Sequence, residues 1–302
     1  MTGFAEKIKE EAKLYPDIFS MQLEKSDIVV DAERILVSGA GDSFAASLTG
    51  VALSGYRGEA VDPRELSQYP KGNRVTVIAV SLGGRTKSLI ESVSLHKEKG
   101  SEIIVVTGNT KSPLAELGDK VVQVVHSSYI QGSGFGSYIS MSAAVAALLG
   151  VRDKPSKKFL CSPKTMELGI PFFIGETWSY GLAYFAMLKT HEDLGWPSRS
   201  ERLEQFMHAT IFSLKEYEIP IILYPREKLP PNLISILLEK FNPIFLGDLI
   251  NIKAESTIDE MVCTAQSLTM LIAEYISKEG LTEPFYRRRR SEAENLARTI
   301  YT

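Results

Sequence analysis

Short apolar runs alternate with stretches of helical periodicity along most of the chain. The first half predicts strand–turn–helix units over 34–53, 75–93 and 101–119, followed by a strand at 121–125 and a helix over 137–151. The strand segments are continuous runs rich in Val and Ile, which is typical of a parallel sheet covered by helices on both faces. The order of the elements predicts a flavodoxin-like arrangement, in which ligands bind at the carboxyl ends of the strands.

The second half repeats this plan. Strands are expected at 171–175, 220–225 and 243–247, and helices at 232–241 and 258–280, with a further helix starting after Gly175. The repetition is one of pattern and not of residue identity, and it indicates an internal duplication. The expected fold class is therefore α/β, with two flavodoxin-like domains that each consist of a parallel sheet with helices on both faces.

The domain bounds follow from a change in composition between the two halves. Residues 154–168 are polar and contain two prolines, which marks a linker. We expect an N-terminal helix and the first domain in 1–153, and the second domain with a C-terminal tail in 169–302. A length of 302 residues suits two domains of ordinary size.

Charge and cysteine content exclude several classes of function. Lys and Arg number 34 against 37 for Asp and Glu, a net charge of −3, which argues against nucleic acid as the main partner. The two cysteines, Cys161 and Cys263, are far apart and form no CxxC, which argues against a cysteine-based zinc site or a disulfide framework. The N-terminus is a charged amphipathic helix and no apolar run reaches membrane-spanning length, so we expect a cytoplasmic protein with no membrane partner.

The turn GAGDS at 39–43 follows the first strand and opens a helix. Its glycines, Gly41 among them, allow a ligand to approach the backbone, and free N–H groups at a helix start favour an anion. It lacks the third glycine of a dinucleotide fingerprint and the GK[ST] of a P-loop. Taken alone, the turn is as consistent with tight packing as with binding.

The turn SLGGRT at 81–86 is a stronger indication of a phosphate site. Ser81 and Thr86 carry hydroxyl groups, while Gly83 and Gly84 expose backbone N–H groups at the start of a helix. Such a set of neutral donors can hold a phosphate monoester. The polar turn TGNTKS at 107–112 and the serines from 133 to 137 would complete a rim of hydroxyls. Three such turns at the ends of parallel strands favour a sugar-phosphate ligand.

These motifs resemble the sugar isomerase (SIS) domain, which occurs twice per chain in a group of phosphosugar enzymes. The second half is similar to the isomerase domain of glucosamine-6-phosphate synthase. In that family a helix with L-K-x-x-E precedes a His sixteen positions after its Glu, and Lys189, Glu192 and His208 follow this spacing. The closing segment ENLARTIYT is similar to the family's N-L-A-K-S-V-T. The resemblance covers nearly the whole chain. No part of the chain resembles the glutaminase domain that the synthase also has.

The resemblance implies a role for each matching residue. Ser43, Ser81 and Thr86 would hold the phosphate, and Ser137 would contact the sugar. Glu192 would move a proton between C1 and C2 with the assistance of Lys189, and His208 would open the sugar ring. In the family this His comes from the neighbouring subunit, which implies a homodimer with its active site at the subunit interface. No cofactor or metal is implied.

Three positions depart from the family pattern. Gly83 replaces a phosphate-binding serine, and Asp42 replaces the threonine that precedes the phosphate-binding Ser43. Arg298 replaces the tail lysine that forms a Schiff base in the synthase, and a guanidinium that stays protonated cannot do so. Aldose–ketose isomerisation needs only a carboxylate and a ring-opening group, so the substitutions do not exclude it.

We therefore expect an enzyme that isomerises fructose 6-phosphate or glucosamine 6-phosphate, and specifically an ammonia-releasing glucosamine-6-phosphate deaminase. Arg298 is expected to join the phosphate-binding residues. Two alternatives stay open. One is a glucose/mannose-6-phosphate isomerase, whose phosphate loop usually reads S-x-S-G-N-T. The other is a non-catalytic phosphosugar sensor, because Asp42, Gly83 and Arg298 all replace expected site residues.

Overall fold

A computed structural model describes residues 3–126, 133–156, 169–241, 243–246 and 256–302. The first half contains a sheet of parallel strands in the order β2-β1-β3-β4-β5. Its strands are β1 (Arg34–Ser38), β2 (Glu59–Val61), β3 (Val75–Val80), β4 (Glu102–Thr107) and β5 (Lys120–Gln123). This is the flavodoxin-like order that the sequence predicts.

The second half contains another parallel sheet, in the order β7-β6-β8-β9. Its strands are β6 (Ile170–Gly175), β7 (Arg199–Arg202), β8 (Glu218–Ile222) and β9 (Ile244–Phe245). The α/β class with two parallel sheets flanked by helices is thereby confirmed. The α-helices of the described residues are α1 (Phe4–Lys13), α2 (Tyr15–Lys25), α3 (Asp42–Leu53), α4 (Pro63–Leu66), α5 (Lys87–Glu98), α6 (Pro113–Leu117), α7 (Phe135–Leu148), α8 (Trp178–Lys189), α9 (Leu203–His208), α10 (Pro231–Lys240), α11 (Thr257–Lys278) and α12 (Arg290–Ile300).

One hydrophobic core extends through both halves. Alternate residues of the first sheet, such as Val37 and Ile78, face a cluster that also contains Phe173 and Ile221 of the second sheet. Helices α1 and α2 contribute to it from the N-terminus, and α11 contributes from the second half. The opposite faces of the two sheets have separate, smaller clusters. The domain bounds at 153 and 169 stay a prediction, because the helices of both halves share this core.

Helices α3 and α8 cross at small residues, and this crossing positions the candidate site. A side chain at Gly181 of α8 would collide with Thr49 of α3 and would lie 2.8 Å from the carbonyl oxygen of Ala45. The ring of Phe44 packs edge-on against Tyr184 at 5.8 Å, about one turn further along. Another turn further, the start of α3 meets the end of α8. The helices therefore bring Asp42 beside Lys189.

The two halves repeat the same turn in backbone geometry. Gly41, before α3, has φ 58° and ψ −126°, and Thr177, before α8, has φ 50° and ψ −125°. The first turn uses glycine for this left-handed conformation, whereas the second imposes it on a β-branched residue, which is unusual. The duplication predicted from the sequence pattern thus extends to individual torsion angles.

The N-terminal helical region is divided into α1 and α2, and Pro16 lies in the first turn of α2, where its missing N–H is tolerated. The polar strand β7 and the helix α12 were not predicted. Among the residues that the structure describes, no helix combines the length and apolar character needed to span a bilayer.

Candidate functional site

The turns after β1, β3 and β4 meet at one edge of the first sheet. Ser38 of β1 is in register with Ala79 of β3, so the turns that follow these strands begin side by side. The turn after β4 joins them through the N–H of Gly108, which donates to the carbonyl of Leu82 at 2.9 Å. The arrangement is the one expected for parallel strands, whose carboxyl ends form a shared ligand edge.

The predicted phosphate loop, residues 81–86, is held in shape by its own hydroxyl groups. The Oγ of Ser81 accepts a hydrogen bond from the N–H of Gly84 at 3.2 Å and lies 3.4 Å from Oγ1 of Thr86. The predicted rim has a different role, since Thr107 donates to the Leu82 carbonyl at 3.2 Å and Ser112 accepts from the N–H of Ala115 at 3.3 Å. These two hydroxyls support neighbouring backbone.

Lys189 joins the two halves through a buried ion pair. Its ammonium group lies 2.9 Å from Oδ2 of Asp42 and also contacts the carboxylate of Glu192. The lysine is fully buried, whereas the side chain of Glu192 keeps 40% of its surface exposed. The ammonium also lies over the ring of Phe185, 5.4 Å from its centre.

Three carboxyl groups surround this one ammonium. Burial lowers the pKa of Lys189, but Asp42, Glu192 and Asp193 outweigh it and hold the pKa above its ordinary value. Burial raises the pKa of Asp42 to about 6, with Lys189 opposing the shift and Glu192 adding to it. The second oxygen of Asp42, Oδ1, is buried and has no hydrogen-bond partner in the described part of the chain.

Asp193 belongs to the same cluster, although sequence analysis missed it. Residues Thr190–Leu194 form a π-helical turn directly after α8, a feature that often accompanies functional sites. The turn directs Asp193 into the protein, where it is fully buried and neither oxygen has a hydrogen-bond partner among the described residues. Burial, opposed by Lys189, raises the pKa of Asp193 to about 8. An acidic residue after L-K-x-x-E gives no sequence signal of its own.

The C-terminal segment contacts the predicted phosphate loop. Tyr301 forms an antiparallel bridge with Thr86, and the N–H of Thr302 donates to the carbonyl of Arg85 at 2.9 Å. Burial, together with the charges of Glu192 and Asp42, raises the pKa of Tyr301. Tyr301 is therefore close to both the loop and the acidic cluster, and sequence analysis did not single it out.

The structure brings together most of the predicted site residues. Ser43 lies next to Asp42 at the start of α3, where its hydroxyl donates to the sulfur of Met141 at 3.5 Å. Ser137, in the first turn of α7, donates to the carbonyl of Gly134 at 3.0 Å. A side chain at Gly134 would collide with Oδ2 of Asp42, so the start of α7 borders the ion pair.

Two predicted residues are not part of this cluster within one chain. His208 lies at the exposed end of α9, where 73% of its side chain is accessible and its Nε2 is 2.9 Å from Oε1 of Glu204. The side chain of Arg298 is exposed on α12, and its carbonyl accepts a hydrogen bond from Lys87 at 2.8 Å. Tyr301, rather than Arg298, bridges to the loop.

The remaining expectations concern metals and cysteines. Across the described ranges, no group of three or more His, Cys, Asp or Glu side chains is arranged to hold a metal ion. Cys263 is disulfide-bonded, which the sequence analysis did not expect. Cys161 lies outside the described residues.

Comparison with known sequences identifies the family. A sequence model of the SIS domain matches residues 72–150, which include the phosphate loop. An uncharacterised protein of Archaeoglobus fulgidus is 30% identical over 133 residues, which cover 41% of this chain and 69% of that protein. The chain belongs to the SIS domain family. The SIS chain is also 34% identical over 103 residues to the isomerizing glutamine–fructose-6-phosphate aminotransferase of Aeropyrum pernix, covering 32% of the chain but only 17% of that longer relative.

Solved structures extend the similarity beyond the matched SIS domain. A candidate phosphosugar isomerase of Clostridium difficile 630 has a TM-score of 0.71 and 15% identity, and the alignment covers 93% of this chain and 95% of that one. A glucosamine-6-phosphate deaminase of Thermotoga maritima has a TM-score of 0.69 and 14% identity, with 92% and 95% covered. At these identities the similarity shows a shared fold over both halves.

Proposed function

We propose that this SIS protein is an aldose–ketose isomerase of six-carbon sugar phosphates that acts as a glucosamine-6-phosphate deaminase. The observation that carries the proposal is the Lys189–Glu192 pair, which lies at the same edge as the phosphate loop although it comes from the other half of the chain. A 1,2 proton shift requires a positioned carboxylate, and a phosphate-binding turn beside it would hold the sugar phosphate within reach.

Glu192 is the proposed proton carrier. Its half-exposed carboxylate is accessible to a ligand and contacts the ammonium of Lys189. It would remove the proton from C2 of the open-chain amino sugar and return it to C1. A second proton moves from the amino nitrogen to O1, which leaves an imine at C2. Water adds to this imine, and ammonia departs to give fructose 6-phosphate. The same shift on a neutral sugar would interconvert aldose and ketose without loss of ammonia.

The phosphate group would bind at residues 81–86, with Ser43 at the adjacent helix start. The hydroxyls of Ser81 and Thr86 lie together, and both loop and helix start place backbone N–H groups at the sheet edge. Helix starts stabilise anions through their unpaired N–H groups and dipole. In this arrangement C1 and C2 extend from the loop toward Glu192.

His208 is proposed to act on the site of a partner subunit. The exposure of His208 within its own chain favours this role, and Phe212 nearby exposes 83% of its surface. A homodimer that buries this face would bring a His208 to each Glu192. The imidazole would then open the sugar ring as a general acid–base catalyst.

The test is an assay of the purified protein with glucosamine 6-phosphate, fructose 6-phosphate plus ammonium, and glucose 6-phosphate, following ammonia and ketose. Glu192→Gln should lower turnover at least about a hundredfold, as expected when a general base is removed, while sugar phosphates still raise the melting temperature. Glu201→Gln, which changes an acid of β7 outside the cluster, is the matched control. Interconversion of neutral sugars alone would favour the glucose/mannose isomerase, and binding without any turnover would favour the sensor.

A further inference from the structure

The acidic cluster contains more negative than positive groups. Asp42, Glu192 and Asp193 share the single ammonium of Lys189, and the two acids Asp42 and Glu192 still outnumber it where burial keeps Asp193 protonated. The other titratable groups affected by the charge of Asp42 are Tyr138, Tyr184 and Tyr301, which are neutral as phenols. No second cation of the described residues balances the cluster.

Two carboxyl groups of the cluster have oxygens without a partner. Asp42 uses Oδ2 to bind Lys189, while its Oδ1 is buried without a partner. The carboxyl of Asp193 is fully buried and lacks a partner at both oxygens within the described chain. Buried polar groups in native proteins are nearly always hydrogen-bonded, so the protein alone satisfies this acidic cluster poorly. A ligand that brings a hydrogen-bond donor and positive charge to the exposed part of Asp42 would offset the excess of acidic groups.

Asp42 is the carboxyl group that a ligand can reach. Its side chain keeps 22% of its surface exposed, whereas Asp193 is fully enclosed. Both Asp42 and Glu192 contact the same ammonium, so their carboxyl groups lie on either side of one atom. A sugar that presents its C2 hydrogen to Glu192 would therefore present its C2 substituent within reach of Asp42.

From this geometry we infer that Asp42 binds the protonated amino group at C2 of an amino-sugar phosphate and so selects amino sugars over neutral ones. The inference rests on the proposed function for the placement of C2 but concerns recognition rather than turnover. A C2 hydroxyl could also donate to Asp42, but it would leave the excess negative charge of the cluster unbalanced. An ammonium supplies both the donors and the charge, and charged hydrogen bonds are the stronger ones.

The experiment compares the binding of glucosamine 6-phosphate, glucose 6-phosphate and N-acetylglucosamine 6-phosphate, whose C2 substituents are a cation, a hydroxyl and a neutral amide. Titration calorimetry is carried out in the His208→Ala background, which leaves the cluster intact. Asp42→Asn should weaken glucosamine 6-phosphate about 10- to 100-fold, the range of a charged hydrogen bond. The affinity for glucose 6-phosphate should change less than about twofold, because its C2 hydroxyl makes only a neutral contact with residue 42. Glu91→Gln, an exposed acid on α5, controls for net charge.

Asp42→Thr provides a second variant in case Asp42→Asn does not fold. It restores the residue that the family pattern has at this position, and it should abolish the preference for the amino sugar in the same way. Equal losses for the amino and neutral sugars would overturn the inference. So would the absence of any preference for the amino sugar, or of any binding, in the parental protein. If the preference for the amino sugar depends on Asp42 but no ammonia is released, the inference holds and the deaminase activity is refuted. If ammonia is released but Asp42→Asn weakens all three sugars equally, the deaminase activity holds and the inference is refuted.

Discussion

The ammonium of Lys189 lies 2.9 Å from a carboxylate oxygen of Asp42, and this contact joins the last turn of α8 to the first turn of α3. Each partner also lies at the helix end that its charge favours, because helix starts stabilise anions and helix ends stabilise cations. The pair therefore contributes to both the site and the contact between the two halves.

Removal of the cation should destabilise the protein. Lys189→Met leaves Asp42 and Glu192 without their partner, and the loss of one member of a buried pair costs about 3–5 kcal/mol. Urea unfolding at pH 8 measures this change in the free energy of unfolding. Lys154→Met is the control, because its exposed pair with Glu24 should be worth less than about 1 kcal/mol. Equal effects of the two substitutions would contradict the structural role of Lys189.

Asp193 should make stability depend on pH. The pKa of this carboxyl in the folded protein is about 8, above the ordinary value of 3.8, so the folded state binds a proton that the unfolded state has lost over this range. This contribution is fully present below about pH 4 and is lost as the pH rises through 8. Asp193→Asn should therefore be more stable than the unmodified protein at pH 8.5. Melting curves between pH 4.5 and 8.5 test this, and the difference should shrink toward low pH.

If the difference in melting temperature between Asp193→Asn and the unmodified protein is the same at every pH, the Asp193 carboxyl has the same pKa in the folded and unfolded states, and the prediction is wrong. Glu91→Gln provides the matched control, because its exposed side chain should leave the melting curves nearly unchanged at every pH.

Gly83 should accept the hydroxyl that the family pattern has at this position. A side chain at Gly83 would meet no atom within 4 Å, so Gly83→Ser should be tolerated. One additional neutral hydrogen bond should raise the affinity for glucose 6-phosphate about 2- to 10-fold, as measured by titration calorimetry. The matched control is Gly84→Ser, which has φ +63° and would collide with Ser112, and it should weaken binding. Unchanged affinity in Gly83→Ser would place the phosphate elsewhere.

The proposed dimer predicts complementation between two inactive variants. Glu192→Gln and His208→Ala each remove one part of the site, and mixed dimers regain one complete site only if the two residues come from different chains. Random exchange of subunits would restore about one quarter of the sites of a two-fold symmetric dimer. Activity after denaturation and joint refolding of equal amounts measures this. A mixture as inactive as its components would place both groups in the same chain.

The central strands β1, β3, β4 and β6 were predictable because they are apolar runs that are almost entirely buried. Strand β7 was not predicted, since its sequence RSER is polar, and pairing with β6 rather than hydrophobicity defines it. Asp193 was missed because its burial depends on a π-helical turn, for which the sequence has no marker. Within α9, Phe206 is fully buried whereas the side chain of His208 is exposed, a difference that depends on the packing of the helix.

The shared core limits how the protein can move. Many two-domain proteins admit ligands by opening a cleft about a hinge, which requires an interface that separates easily. Here the helices between the sheets belong to a single apolar cluster, so separation of the halves would expose much of the interior to water. Substrate entry would therefore depend on small movements at the rim, and loss of either half would unfold the other in the same cooperative transition.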